Sequence, residues 1–305
     1  MIKLEDRLTI RNKVLEGLKS SFPWLGNQVR SLRIPSRGKN QAEKVINEVD
    51  EDRDQVIKSQ PDEIVYRMPT LQEVLGTEES REPYTILLGL CEDGLPLTLN
   101  LTNPAPGSVL ITADQGAGKT RLIHSILDSA ALINSSEQVL FNIITTDIHE
   151  YTDLAELPNC QKLVAFDSPS ASYLIQELYD EAEKRRAEPV ELVLILVIEE
   201  LAGFIRTIST NQFSQLMRLL KHGPRLGIWV FATLESAKIE QIDPAVLEAF
   251  RTHLLGFIDE PELANYLARA EDPPSEQLSK GSQFCAFVAG DWFSFWICDN
   301  GGGPL

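Results

Sequence analysis

The residues most able to do chemistry lie in two short stretches. The first is GSVLITADQGAGKTRLIH, residues 107–124. A short apolar run, Val109-Leu110-Ile111, suits a buried strand. A small-residue turn from Ala113 to Gly118 follows, then Lys119-Thr120 and an apolar-periodic run. Strand, glycine loop, Lys-Thr and helix form the phosphate-binding loop in its structural context. Gly116 and Gly118 let the backbone turn its N–H groups toward a triphosphate. Lys119 is a point charge for the outer phosphates, Thr120 the usual Mg²⁺ ligand, and the helix start adds a positive end. The whole of Ala113, Asp114, Gln115, Gly116, Ala117, Gly118, Lys119, Thr120 and Arg121 is the expected nucleotide cradle. One residue departs from the consensus: Ala113 stands where the first glycine is usual.

The second stretch is Leu192 to Ile198, followed by Glu199-Glu200. Seven apolar residues without alternation suit a strand covered on both faces. Such a strand would deliver a carboxylate pair to the sheet edge where α/β proteins bind ligands. In that setting the first acid serves Mg²⁺ and the second polarises an attacking water. A pair of solvated acids at a strand end is the bland alternative, less favoured beside a phosphate loop. Two further positions stay open. Arg225 precedes the strand that begins at Ile228, and could reach a neighbouring subunit's phosphate or simply lie in a surface turn. Thr233 could sense a γ-phosphate or be an ordinary strand-end residue.

The elements that must hold these residues alternate along the chain. Ile86–Leu90 and Leu95–Leu101 read as a hairpin around Glu92-Asp93-Gly94. The loop helix runs to about Asn134, and strands follow at 139–145 and 162–166. A helix spans 171–186, another 211–222, and a strand 228–233. This alternation around a phosphate loop predicts an α/β fold of P-loop NTPase type with a mostly parallel central sheet. Gln283–Val288 and Trp292–Ile297 flank Ala289-Gly290-Asp291 as a second hairpin. Its aromatics could stack on bases, but their alternation favours a half-buried sheet.

Upstream, Leu4, Leu8, Leu15 and Leu18 suggest a helix, and Arg30, Arg33, Arg37 and Lys39 form a basic loop. A solvated linker is the favoured reading of that loop, a nucleic-acid arm the other. Residues 40–63 carry eight acidic against three basic side chains. We therefore expect a helical and acidic N-terminal region or linker over 1–63, a possible partner-protein contact, then an ATPase domain over 64–299 and a flexible tail over 300–305.

The 305 residues are 43% hydrophobic, enough for a substantial core. No apolar run approaches membrane-spanning length, and the charged N-terminus is unlike a signal peptide. Cys91, Cys160, Cys285 and Cys298 show no CxxC pair, which argues for reduced thiols in a cytoplasmic protein and against zinc. The four histidines are scattered without metal spacing. The net charge of −17 runs against a basic nucleic-acid footprint, so any DNA contact would need a local basic surface or a shared pore.

From about Tyr66 to Cys298 the chain resembles the motor domain of the FtsK/SpoIIIE DNA translocases, within the FtsK–HerA class of ATPases. The resemblance rests on ordered segments. They are LLGLCEDGLPLTLNL, ITADQGAGKT, LFNIITTDIHEYTDLAELPNC, VLILVIEELAGF and PRLGIWVFATLES, with Phe250–Phe257 and Leu278-Ser279-Lys280-Gly281 resembling the last strands. It implies a RecA-like type of P-loop NTPase fold, ATP and Mg²⁺ as cofactors, double-stranded DNA as the partner, and a homo-hexamer. Lys119, Glu200 and Arg225 would be catalytic, and Thr120 and Glu199 would hold the metal. Several residues differ from the family pattern. Ala113 replaces glycine, Glu199 replaces Asp, Leu234 replaces Gln, Glu235 replaces Arg, and Arg225 is displaced by one place. Two rival functions are a weakly hydrolysing regulatory or assembly protein and a protein-translocating ATPase of the same class.

Overall fold

The computed structural model describes residues 68–76, 82–288 and 290–298. The expectations for residues 1–63 and 300–305 fall outside them. Ten strands form one sheet: β1 (Thr85–Cys91), β2 (Pro96–Asn100), β3 (Val109–Ala113), β4 (Val139–Thr145), β5 (Cys160–Ala165), β6 (Val193–Ile198), β7 (Ile228–Glu235), β8 (Thr252–Leu255), β9 (Gln283–Val288) and β10 (Asp291–Trp296). Their order is β2-β1-β10-β9-β8-β3-β7-β6-β4-β5. The six strands from β8 to β5 are parallel, and the other four extend the sheet as an antiparallel wing.

The described residues include eight α-helices, the first before β1 and the rest between strands: α1 (Leu71–Leu75), α2 (Lys119–Ile133), α3 (Thr152–Ala155), α4 (Pro169–Ala187), α5 (Leu201–Thr207), α6 (Thr210–His222), α7 (Pro244–Ala249) and α8 (Pro261–Ala268). Helices on both sheet faces explain why β6 is buried at every residue. Side chains alternate between two apolar layers. Leu194, Leu196 and Ile198 pack with α4 and α6 residues such as Leu178 and Leu216. Val193, Ile195 and Val197 face the other way, toward α2 residues such as Leu122 and Ile126. The α6 start carries a capping box, with Ser209 and Gln212 bonded reciprocally.

Arg185, a buried charge at the amino-end edge of the parallel strands, is held by protein acceptors. It donates to Leu192 O at 2.7 Å and Leu226 O at 3.1 Å, and pairs with Glu181 at 2.9 Å. The hairpin aromatics behave as sheet residues. Phe284 and Phe295 are fully buried and stacked at 6.3 Å, whereas Phe287 on the opposite parity is exposed.

Two sequence expectations change. Leu278-Ser279-Lys280-Gly281 is not a strand but a turn, closed by Gln283 N–H donating to Ser279 O at 3.0 Å. Gly281 has φ +88°, a conformation incompatible with a regular strand. Strand β7 also continues past Thr233 to Glu235, because β3 pairs with it as far as Ala113 opposite Glu235. Among the described residues no helix is long and apolar enough to cross a membrane.

Candidate functional site

Parallel pairing brings the ends of β3, β7, β6 and β4 to one edge of the sheet. Strand β7 lies between the phosphate-loop strand β3 and the acidic strand β6. The loop therefore faces Glu199 and Glu200 across the end of β7.

The loop backbone takes the shape its glycines permit. Gly116 has φ +71° and Gly118 φ +88°, both in the region that disfavours side chains. Gly118 is also pressed against the 278–281 turn: a Cβ there would lie 2.6 Å from Gly281 O. Ala113 is fully buried at the end of β3, and its methyl packs near Gly256. The strand continues in regular pairing through it, so a Cβ at this position meets no conformational objection. Gln115 and Gly116 are exposed, Ala117 is buried, and Arg121 sits in the first turn of α2.

Asp114 anchors the loop. Its N–H donates to Phe257 O at 2.9 Å, and its carboxylate accepts from Asp259 N at 3.0 Å and from the Ser236 hydroxyl. Lys119 is half-buried, and its ammonium donates to Ala113 O at 3.0 Å and Asp114 O at 2.9 Å. Burial pushes the Lys119 ammonium below the ordinary lysine range, opposed by the Glu235 and Asp114 carboxylates.

Glu199 sits at the centre of a hydroxyl cluster. It is 8% exposed, yet its carboxylate accepts from three side chains. Thr120 Oγ1 donates to Oε1 at 2.8 Å, the Tyr151 hydroxyl to Oε1 at 3.2 Å, and Thr145 Oγ1 to Oε2. Three hydroxyl donors make a buried carboxylate tolerable. Tyr151 is itself fully buried and stacked on His124 at 4.7 Å. Burial, reinforced by Glu199, drives its phenol far above the ordinary tyrosine range, so it remains a donor. Burial together with the Glu199 and Asp147 carboxylates also pushes the Glu150 carboxyl up. This edge is acidic and oxygen-rich. A carboxylate beside a threonine hydroxyl is the hard-oxygen donor set that Mg²⁺ takes, so the residues present fit that ion.

Glu200 is held differently. Its backbone is left-handed, φ 59° and ψ 62°, and costs about 1–2 kcal/mol for a side-chain-bearing residue. Its N–H donates to Thr233 Oγ1 at 3.0 Å. Its carboxylate folds over the start of α5, where Gly203 makes room: a Cβ there would lie 2.2 Å from Glu200 Oε2. Lys238, in the turn after β7, meets Glu200 Oε1 at 3.1 Å and Glu235 Oε2 at 3.3 Å. Oε1 has no partner of hydrogen-bond geometry among the described residues, so the ion-pair contact alone compensates it. Burial works against the Lys238 charge, but Glu200 and Glu235 outweigh it and raise the ammonium above its usual range.

The structure thus gathers Ala113 to Thr120, Glu199, Glu200 and Thr233 at one edge. It does not bring Arg225 there. Arg225 is exposed in the 3₁₀ turn Gly223–Leu226, which leads into the opposite, amino end of β7. Leu234 is fully buried in the core, with no access to the site. Sequence reasoning missed Thr145, Tyr151, Lys238 and Ser236. Asp147 and Glu150 make the segment after β4 polar, but nothing in the sequence distinguishes the hydroxyls that reach Glu199.

A mixed sheet with a parallel half, a glycine loop leading into a helix, and a carboxylate against the loop threonine define a P-loop NTPase. Residues 70–224 match the FtsK/SpoIIIE family. The chain belongs to that family and is a P-loop ATPase by membership. Among curated proteins, the magnesium-chelatase subunit ChlI of Porphyra purpurea is 35% identical over 85 residues, 26% of this chain and 24% of that protein. The chain thus spans about a quarter of the length of the curated relatives it matches. Three solved structures share the fold. EssC (ATPases 2 and 3) from Geobacillus thermodenitrificans gives a TM-score of 0.61 at 15% identity, covering 78% of this chain and 48% of that one. The pCW3 conjugation coupling protein TcpA with ATPgS gives 0.57 at 14%, covering 76% and 70%. The type VII secretion ATPase EccC of Thermomonospora curvata gives 0.56 at 16%, covering 72% and 29%.

Proposed function

We propose that this chain is an ATP-hydrolysing motor that acts on double-stranded DNA as a homo-hexamer, with residues 64–299 as the ATPase domain. The observation that carries the nucleotide reading is the 2.8 Å bond between Thr120 and Glu199, which sets the loop hydroxyl against the strand-end carboxylate. Loop N–H groups from Asp114 to Lys119 and the positive end of α2 would bind the phosphates, and Lys119 would neutralise the outer ones. Thr120 and Glu199 would hold Mg²⁺, which supplies charge neutralisation on phosphate oxygens. Glu200 would orient a water and take its proton on the carboxylate. Arg225, exposed at the far edge, would serve a neighbouring subunit's nucleotide in a ring. Residues 1–63 would supply a partner contact.

A second reading is movement of a protein substrate. The net charge of −17 favours it, since a polyanion is repelled by an acidic surface and a polypeptide need not be.

The test is steady-state ATP hydrolysis with and without long duplex DNA, with Lys119→Ala and Glu200→Gln as controls. A several-fold rise with DNA that both variants abolish is the expected outcome. Turnover indifferent to DNA points to a protein substrate. Tight ATP binding with no turnover overturns the motor reading in favour of a regulatory role.

A further inference from the structure

We propose that Lys238 is a positioning residue that restrains Glu200, so that water activation requires the pair to open. The proposal rests on the hydrolytic role given to Glu200 above.

Three contacts aim Glu200 at Lys238. Thr233 fixes its backbone N–H, the bare Cα of Gly203 admits its carboxylate, and the ammonium closes on Oε1 at 3.1 Å. A carboxylate that activates water must offer a lone pair to that water. Here the ammonium lies over one oxygen, and Oε2 is packed against Gly203. Lys238 is bound at a second point, Glu235, which lies at the end of the strand between the phosphate loop and the acidic strand. It is therefore not a mobile surface lysine that meets Glu200 by chance.

The turn carrying Lys238 is also tied to the phosphate loop. Ser236, two residues earlier, donates its hydroxyl to Asp114, and Asp114 carries the carbonyl that Lys119 holds. A shift of the loop backbone around bound phosphates is thereby conveyed to the turn through one hydrogen bond. The pair is partly exposed, 32% for Lys238 and 22% for Glu200, so opening it requires no unfolding of the core. Such a pair is a modest restraint: exposed ion pairs are weak, and the release corresponds to about a two- to fivefold rate change.

The experiment is steady-state ATPase kinetics of the full chain without a stimulating polymer. Lys238→Met is expected to raise kcat about two- to fivefold with KM for ATP unchanged. Lys238→Gln should do the same, which guards against a folding defect peculiar to either variant. Lys238→Arg, which keeps the ion pair, should retain the parent rate. The double variant Lys238→Met with Glu200→Gln should be inactive, placing the gain on Glu200. An unchanged or lower kcat in both Lys238→Met and Lys238→Gln, with Glu200→Gln inactive, overturns the restraint. A rate change carried by KM overturns it too, because it would assign Lys238 to nucleotide binding. Activity that survives Glu200→Gln alone refutes instead the underlying role of Glu200.

Discussion

Replacing Glu199 by Asp would install the residue usual in the family this chain resembles, yet the structure predicts that it harms the protein. The Glu199 carboxylate reaches Thr120 at 2.8 Å and Tyr151 at 3.2 Å through Oε1, and Thr145 through Oε2. Removing one methylene withdraws the oxygens by about 1.5 Å, one C–C bond. Both Oε1 contacts then exceed hydrogen-bond length. Hydrogen bonds to charged groups are worth about 1.5–3 kcal/mol each, and an unpaired buried partner adds to the loss. Thr120 is partly exposed and can recruit water, whereas the Tyr151 hydroxyl is fully buried and cannot do so as readily. The net cost is about 2–4 kcal/mol. For a domain of this size that lowers Tm by about 5–15 °C.

Thermal unfolding without nucleotide measures this directly. Tyr151→Phe, which keeps the ring on His124, supplies the second arm of a double-mutant cycle. Alone it should cost about 1–3 kcal/mol; on the Glu199→Asp background it should cost almost nothing further, because the shared contact is already gone. If Glu199→Asp leaves Tm unchanged, and Tyr151→Phe costs the same on both backgrounds, the hydroxyl cluster does not support Glu199.

Three other outcomes follow from separate parts of the molecule. Gly118→Ala places a methyl 2.6 Å from Gly281 O at φ +88°, so it should cost more than about 1 kcal/mol and weaken nucleotide binding, read by thermal unfolding and fluorescent-nucleotide titration. Arg185→Met leaves Glu181 only its 3.9 Å contact with Lys184 and takes the donor away from the carbonyls of Leu192 and Leu226; chemical denaturation should show a loss of about 2–4 kcal/mol through a lower midpoint at constant slope. Burial pushes the Cys285 thiol from 9.0 to about 12, so the unfolded chain loses this proton first as pH rises. The contribution of Cys285 is complete below pH 9.0 and is lost as pH rises toward 12, so Cys285→Ala should flatten the alkaline decline measured by denaturation from pH 8 to 11.

Much of this fold was legible because its signals are local. The apolar run before Glu199, the Gly116–Thr120 loop and the strand Val139–Thr145 each carry their pattern within a few residues, and the structure places all three as expected. Helix α5 was missed. LAGFIRT has a glycine inside it and is too short for periodicity, and it is held by burial of Leu201, Ala202 and Phe204 rather than by propensity. The 278–281 turn resembled a strand because a short segment with one glycine does not reveal a positive φ.

The site itself was half legible, and the division has a physical basis. Lys119, Thr120, Glu199 and Glu200 announce themselves because phosphate and metal chemistry demands those residue types at fixed places on a strand or loop. Their supports make no such demand. A carboxylate one methylene longer than usual needs donors farther from the strand, and any hydroxyl at the right point in space will serve; here Thr145 and Tyr151 do so from the end of β4 and the turn beyond it. Lys238 reads in sequence as a solvated charge in SAKIEQ, and becomes a partner of Glu200 only because β6 and β7 are neighbours in the sheet. The family-typical residues missing at 234 and 235 point the same way. Leu234 lies in the core, and Glu235 binds a cation three residues on. The end of β7 thus carries a positive charge through Lys238, and the pairing of β6 with β7 sets it against the carboxylate of Glu200.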